Sequence, residues 1–148
     1  MNIHFSDRFP DFELTGKTDD GRPTYRLNQC VIVSIDEHRI LIPQGFITDG
    51  GSIPRWIWFL FNPMDPDCFP AYLIHDFIYR TEYFPRAKCD KILFEALRDL
   101  KNSWIKSNVI WFGPFIGGQK SWNTRTRNQV MAVRILSGIY MEERPLFL

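Results

Sequence analysis

Two acids, a histidine and a tyrosine carry the densest chemistry in this chain. His75 and Asp76 are adjacent, Tyr79 follows four residues after the histidine, and Asp90 comes fourteen residues after Asp76. On a helix, residues four apart share a face, so His75 and Tyr79 lie together while Asp76 is turned by about 100° from His75. If the next helix packs antiparallel, Asp90 near its start meets that face. An imidazole with one nitrogen fixed by a buried carboxylate presents the other as a general base, and a neighbouring carboxylate can hold a cation that polarises a carbonyl. In that arrangement His75 is the base, Asp90 its orienter, Tyr79 a second donor to Asp90, and Asp76 the metal ligand. The plainer alternative is that His75 and Asp76 cross-link a helix pair and Tyr79 is core.

Upstream, Thr48-Asp49-Gly50-Gly51-Ser52 ends a strand in a tight turn whose glycines permit positive φ and let backbone groups converge. Hard cations such as calcium take carboxylate and backbone carbonyl oxygens, so Asp49, Gly50 and Gly51 are candidates for the ligands that Asp76 lacks. The alternative is a structural turn capping the segment that starts at Ile53, with Arg55 paired to a carboxylate.

The elements that must position these groups follow from patterning. From Phe12 to Ile47 β-branched residues alternate with turn formers, predicting an antiparallel meander of strands Phe12–Leu14, Thr24–Ile35, Arg39–Ile42 and Phe46–Thr48. The second is long enough to be bent or bulged. Helices are predicted over Ile53–Phe61 as a short apolar turn, Pro70–Arg80, Pro85–Lys101 and Asn123–Arg144, with proline at the first position of two of them. Trp104–Gly118 carries proline and a glycine pair and takes no assignment. The sum is one α+β domain, β-rich over 1–48 and mostly helical over 49–148, with about four helices.

Composition narrows the function. The chain has 148 residues, 45% hydrophobic and 24% charged, and 18 Lys and Arg stand against 17 Asp and Glu. No global field draws such a protein to nucleic acid. A chain this long buries roughly two thirds of the surface its unfolded state exposes, so any metal serves function rather than folding. Cys30, Cys68 and Cys89 are odd in number and lack CxxC spacing, which predicts reduced thiols. The start lacks the apolar core of a signal peptide, and no run approaches the ~18 apolar residues of a membrane span. The aromatic content is 16%, with 13 Phe and 5 Trp. Trp56, Trp58, Phe59 and Phe61, and the stretch from Trp104 to Phe115, are therefore either core or an interaction surface.

Together, the TDGxSIPR pattern at Thr48–Arg55, HDxxY at His75–Tyr79 and the later Asp90 resemble a family of tailed-phage and prophage proteins described by a domain of unknown function. The likeness covers roughly Phe46 to Phe94. HDxxY followed by an Asp on the next helix is also similar to the core of secretory phospholipases and of the lipase domain in parvovirus capsids. That resemblance implies His75 activating water, Asp76 binding calcium, and Tyr79 and Asp90 supporting the histidine. The chain departs from secretory phospholipases in lacking a Cys beside the His-Asp pair, and its calcium loop is replaced by Thr48–Ser52. Two functions follow as expectations. One is a phage protein that hydrolyses phospholipid esters with calcium. The other is a non-enzymatic tail or assembly component in which the His-Asp-Tyr-Asp set is a buried structural network. Either is made in the host cytoplasm, and the second is carried in the virion.

Overall fold

In the computed structural model, residues 1–18, 21–50, 62 and 64–124 are described. Six strands precede three helices: β1 Ile3–Phe5, β2 Phe12–Lys17, β3 Pro23–Leu27, β4 Val31–Ile35, β5 His38–Ile42, β6 Ile47–Thr48, α1 Phe69–Arg80, α2 Arg86–Asp99 and α3 Trp104–Thr124. The α+β class stands. The strands form two three-stranded antiparallel sheets, ordered β1-β4-β5 and β2-β3-β6, instead of one meander. The predicted single strand Thr24–Ile35 is accordingly two strands in different sheets. At the break, Leu27 N–H donates to Phe46 O at 2.9 Å and Asn28 N–H to Asp11 O at 2.9 Å, so the backbone leaves one ladder before entering the next.

Strict alternation in β4, with Val31, Val33 and Ile35 buried, points one face of the first sheet into the core beside Ile40 and Ile42 of β5. The second sheet touches the helices through Phe12, whose ring lies 4.5 Å from that of Phe69.

α1 is the central helix. Ten of its twelve residues are buried; the two that are not are Asp76 and Arg80. A helix apolar nearly all round belongs inside a fold, and here Phe46, just before β6, contacts Phe77 from one side, with ring centroids 5.2 Å apart. α1 ends at a left-handed Glu82 (φ 48°), with Tyr83 N–H returning to Ile78 O at 2.9 Å, which satisfies a terminal carbonyl and reverses the chain. Pro85 then opens α2. Cys89 reaches back to Ile78 O and Asp90 to His75, so contacts step backward along α1 as α2 advances, the mark of an antiparallel pair.

α3 occupies the stretch that took no assignment from sequence. Pro114 lies inside it and removes one i→i−4 hydrogen bond. Three tertiary ties hold the helix despite this loss. Lys106 Nζ pairs with Asp65 at 2.6 Å, Arg86 donates to the carbonyls of Pro114 and Phe115 at 3.2 and 2.9 Å, and Trp122 stands edge-on to Tyr79 at 4.7 Å. Asn123 lies inside α3 rather than at the start of a new helix. The rest of the predicted Asn123–Arg144 helix, the Ile53–Phe61 segment and Arg55 lie outside the described residues, so three helices are seen where about four were expected. All three cysteines are free thiols.

Candidate functional site

The helix pair brings His75 and Asp90 together. His75 Nε2 lies 3.2 Å from Asp90 Oδ1, with 11% and 6% of the two side chains exposed. A carboxylate only accepts, so Nε2 is the donor and the ring's basic lone pair is on Nδ1. Tyr79 joins through its ring, 5.1 Å from the imidazole. The second oxygen of Asp90 faces Arg86, whose Nε stands 3.7 Å away. Arg86 thus links the Asp90 carboxylate to the α3 carbonyls of Pro114 and Phe115. Its position four residues before Asp90 on the same helix was the available signal.

A second group lies at the other edge of α1. Asp76 stands at the helix surface, and its Oδ2 is buried, without a hydrogen-bond partner among the described residues, 3.5 Å from Arg80 Nη1. Arg80 also donates to Ile47 O at 2.5 Å and lies over the Phe46 ring, which ties α1 to β6. β6 leads directly into Asp49, paired with Arg22 at 2.5 Å. The two carboxylates sense one another. Burial, and after it the charge of Asp76, push the Asp49 carboxyl above the ordinary carboxylate range, and Arg22, a backbone hydrogen bond and Arg80 offset this only in part.

Gly50 takes φ 75° and its N–H binds Thr48 Oγ1 at 3.1 Å, so the turn after β6 is tight as its sequence implied. Gly51 and the aromatics Trp56, Trp58, Phe59 and Phe61 lie outside the described residues. Arg22 and Arg80 were not singled out from sequence. Arg80 follows Asp76 by four and was legible in principle, whereas Arg22 arrives by strand pairing and left no local signal.

The donor set at Asp49 and Asp76 is hard oxygen, and two carboxylates in mutual repulsion are what a divalent cation relieves. Among the described residues no group of three or more His, Cys, Asp or Glu side chains forms a metal cluster. A calcium ion, which takes roughly six to eight oxygens, would draw the remainder from backbone carbonyls and water.

A family model described as "Protein of unknown function (DUF1353)" matches residues 25–113, from within β3 to within α3. The chain belongs to the DUF1353 family. That region contains His75, Asp76, Tyr79, Arg86, Asp90 and Asp49, so the dyad and the carboxylate pair are both built within the DUF1353 segment, while Arg22 stands just before it. No curated protein and no solved structure matches the chain.

Proposed function

We propose that this DUF1353 chain hydrolyses ester bonds of phospholipids, with His75 as general base, Asp90 as its orienting carboxylate, Tyr79 as a second donor to Asp90, and calcium held at Asp76 with Asp49, Gly50 and Gly51. The observation that carries the reading is the buried 3.2 Å bond from His75 Nε2 to Asp90 Oδ1. It fixes the tautomer and leaves Nδ1 to take a proton from water. The resulting hydroxide attacks the ester carbonyl, and the same imidazolium returns the proton to the departing alcohol. Asp90 stabilises the positive ring between the two steps, and Arg86 keeps the carboxylate from turning away. Bound calcium would supply polarisation of the carbonyl oxygen. The likeness of HDxxY and the following Asp to the phospholipase core supports the lipid ester as substrate.

The test is release of fatty acid from mixed phospholipid vesicles. Activity is expected for the wild type and lost in His75→Gln with the fold intact. No release from any lipid class by the folded wild type refutes the proposal.

A second reading draws on the same burial. His75 and Asp90 are 9% and 4% exposed and Arg86 completes their charge balance, so the set can also serve as a polar lock between α1 and α2 in a phage tail or assembly protein. Under that reading the protein is carried in the virion, and His75→Gln impairs particle assembly instead of hydrolysis. Under the hydrolase reading it acts in the host cytoplasm where it is made.

A further inference from the structure

The imidazole of His75 is enclosed. The residue is 9% exposed, and the ring of Tyr79, itself buried, lies 5.1 Å from it. Part of the enclosure is the second half of α3. Trp122 stands edge-on to Tyr79 at 4.7 Å, which extends the row of rings from His75 through Tyr79 to α3. Nearer the middle of that helix, Arg86 reaches from Asp90 to the carbonyls of Pro114 and Phe115. Each member of the dyad is therefore one side chain removed from α3, His75 through Tyr79 and Asp90 through Arg86.

The two halves of α3 are held differently. Over residues 104–113, Ser107 and Ile110 are buried and Lys106 pairs with Asp65 at 2.6 Å, so this half is set into the body of the protein. Gly113-Pro114 follows. Proline has no N–H to give Ile110 O, its ring crowds that carbonyl, and it disfavours the helical conformation in the residue before it, which here is a glycine with the freedom to leave it. Sharp bends in helices are found at such points. Over residues 114–124 the links to the dyad are one guanidinium on backbone carbonyls and one ring edge, contacts that a small rotation breaks without disturbing the core.

We infer that residues 114–124 of α3 form a cap that closes over the His75–Asp90 dyad and lifts about Gly113-Pro114. Its purpose rests on the hydrolase reading: closed, the cap shields the imidazole from bulk water, and open, it gives a lipid ester a path to Nδ1. Arg86 is the catch. The guanidinium that faces Asp90 also holds the cap, so closure and the charge balance of the dyad are linked through one side chain.

The test reads the opening directly. Diethylpyrocarbonate acylates an imidazole where it can reach an unprotonated ring nitrogen, and peptide mass spectrometry gives the rate at His75 against that at exposed His4 in the same full-length chain. In the wild type His75 should react more slowly than His4. At fixed pH, Trp122→Ala should speed the labelling of His75 by at least about tenfold, because it removes the aromatic contact that seats the cap. Pro114→Ala restores an N–H to the helix and stiffens the hinge, so labelling of His75 should slow by at least about tenfold. His4 should react at the wild-type rate in both.

A wild-type His75 that reacts as fast as His4 overturns the inference, as does an unchanged His75 rate in Trp122→Ala. So does a Pro114→Ala protein that labels like the wild type, since a rigid cover responds to loss of Trp122 alone. Partial unfolding accelerates labelling, so the slowing in Pro114→Ala decides the matter even if Trp122→Ala folds poorly. Hydrolysis is read separately, on a monodisperse short-chain phospholipid. Labelling that follows both substitutions in a protein that cleaves no ester refutes the hydrolase alone, and cleavage with labelling indifferent to both refutes the cap alone.

Discussion

Removing the Asp90 carboxylate should uncouple the stability of the helix pair from its chemistry in a measurable order. Asp90 is 4% exposed, accepts the 3.2 Å bond from His75 and faces Arg86 at 3.7 Å. Asp90→Ala leaves a buried imidazole without its acceptor and a largely buried guanidinium without its counter-charge, a loss of about 3–5 kcal/mol for a broken buried pair. Against a total stability of ~5–15 kcal/mol that is a large fraction. For a chain of this size it corresponds to a fall in midpoint of roughly 6–20 °C. Asp90→Asn keeps an acceptor of the same shape and exchanges a charge-assisted bond for a neutral one, costing only about 1–2 kcal/mol. The order in catalysis differs. Asn can still hold the ring but cannot stabilise its positive form, so fatty-acid release should fall by ~10²–10⁴-fold even though the protein remains folded. Urea denaturation and vesicle hydrolysis on the same preparations read both quantities. An Asp90→Ala protein within 1 kcal/mol of wild type, on the ~1 kcal/mol scale of an ordinary hydrogen bond, would refute the claim that this carboxylate compensates both the buried imidazole and the Arg86 guanidinium. A fully active Asp90→Asn protein would refute its orienting role.

Calcium at about a hundredfold over its dissociation constant should stabilise the wild type by about 2.7 kcal/mol and raise its midpoint by roughly 5–11 °C, with no response in Asp76→Asn; scanning calorimetry in calcium and in chelator decides this. Because the folded state holds the Asp49 proton more tightly than the unfolded chain, this group's contribution is most favourable at acid pH. It declines as pH rises from the ordinary 3.8 through the raised folded value, and stays lost at neutral pH. Asp49→Asn should therefore be more stable than wild type at pH 7 without calcium, and the gain should vanish in acid, as paired urea titrations would show. Lys101 adopts φ 64° at the end of α2. Relief of ~1–2 kcal/mol of left-handed strain less ~0.5–1 kcal/mol of glycine chain entropy makes Lys101→Gly more stable by about 0.5–1 kcal/mol in urea.

The parts of the molecule that were legible are those fixed by local spacing. Pro70, Pro85 and the apolar positions Leu73, Ile74, Phe77 and Ile78 announce α1 and α2, and the short link between them already implies a hairpin that brings His75 toward Asp90. The division of Thr24–Ile35 was not legible, since both halves have strand character and only long-range bonds from Leu27 and Asn28 assign them to separate sheets. α3 was hidden because Gly113 and Pro114 argue against a helix, and the ties that retain it come from Asp65, Arg86 and Tyr79 on other elements. Arg22 reaches Asp49 for a similarly remote reason.

The dyad joins residues only fifteen apart in sequence, across the reversal at Glu82. Closing so short a loop costs little chain entropy, whereas pairing β1 with β4 requires Ile3 to find Ile35 across a separation more than twice as long. The helical hairpin can consequently assemble ahead of the β1–β4 pairing, with His75 and Asp90 as part of the folding nucleus. Conservative changes in α1 and α2 should then slow refolding, and changes in β1 should chiefly hasten unfolding. A polar pair in that position would give the protein its register early, so the same contact that orients the imidazole in the finished fold also guides the chain toward it.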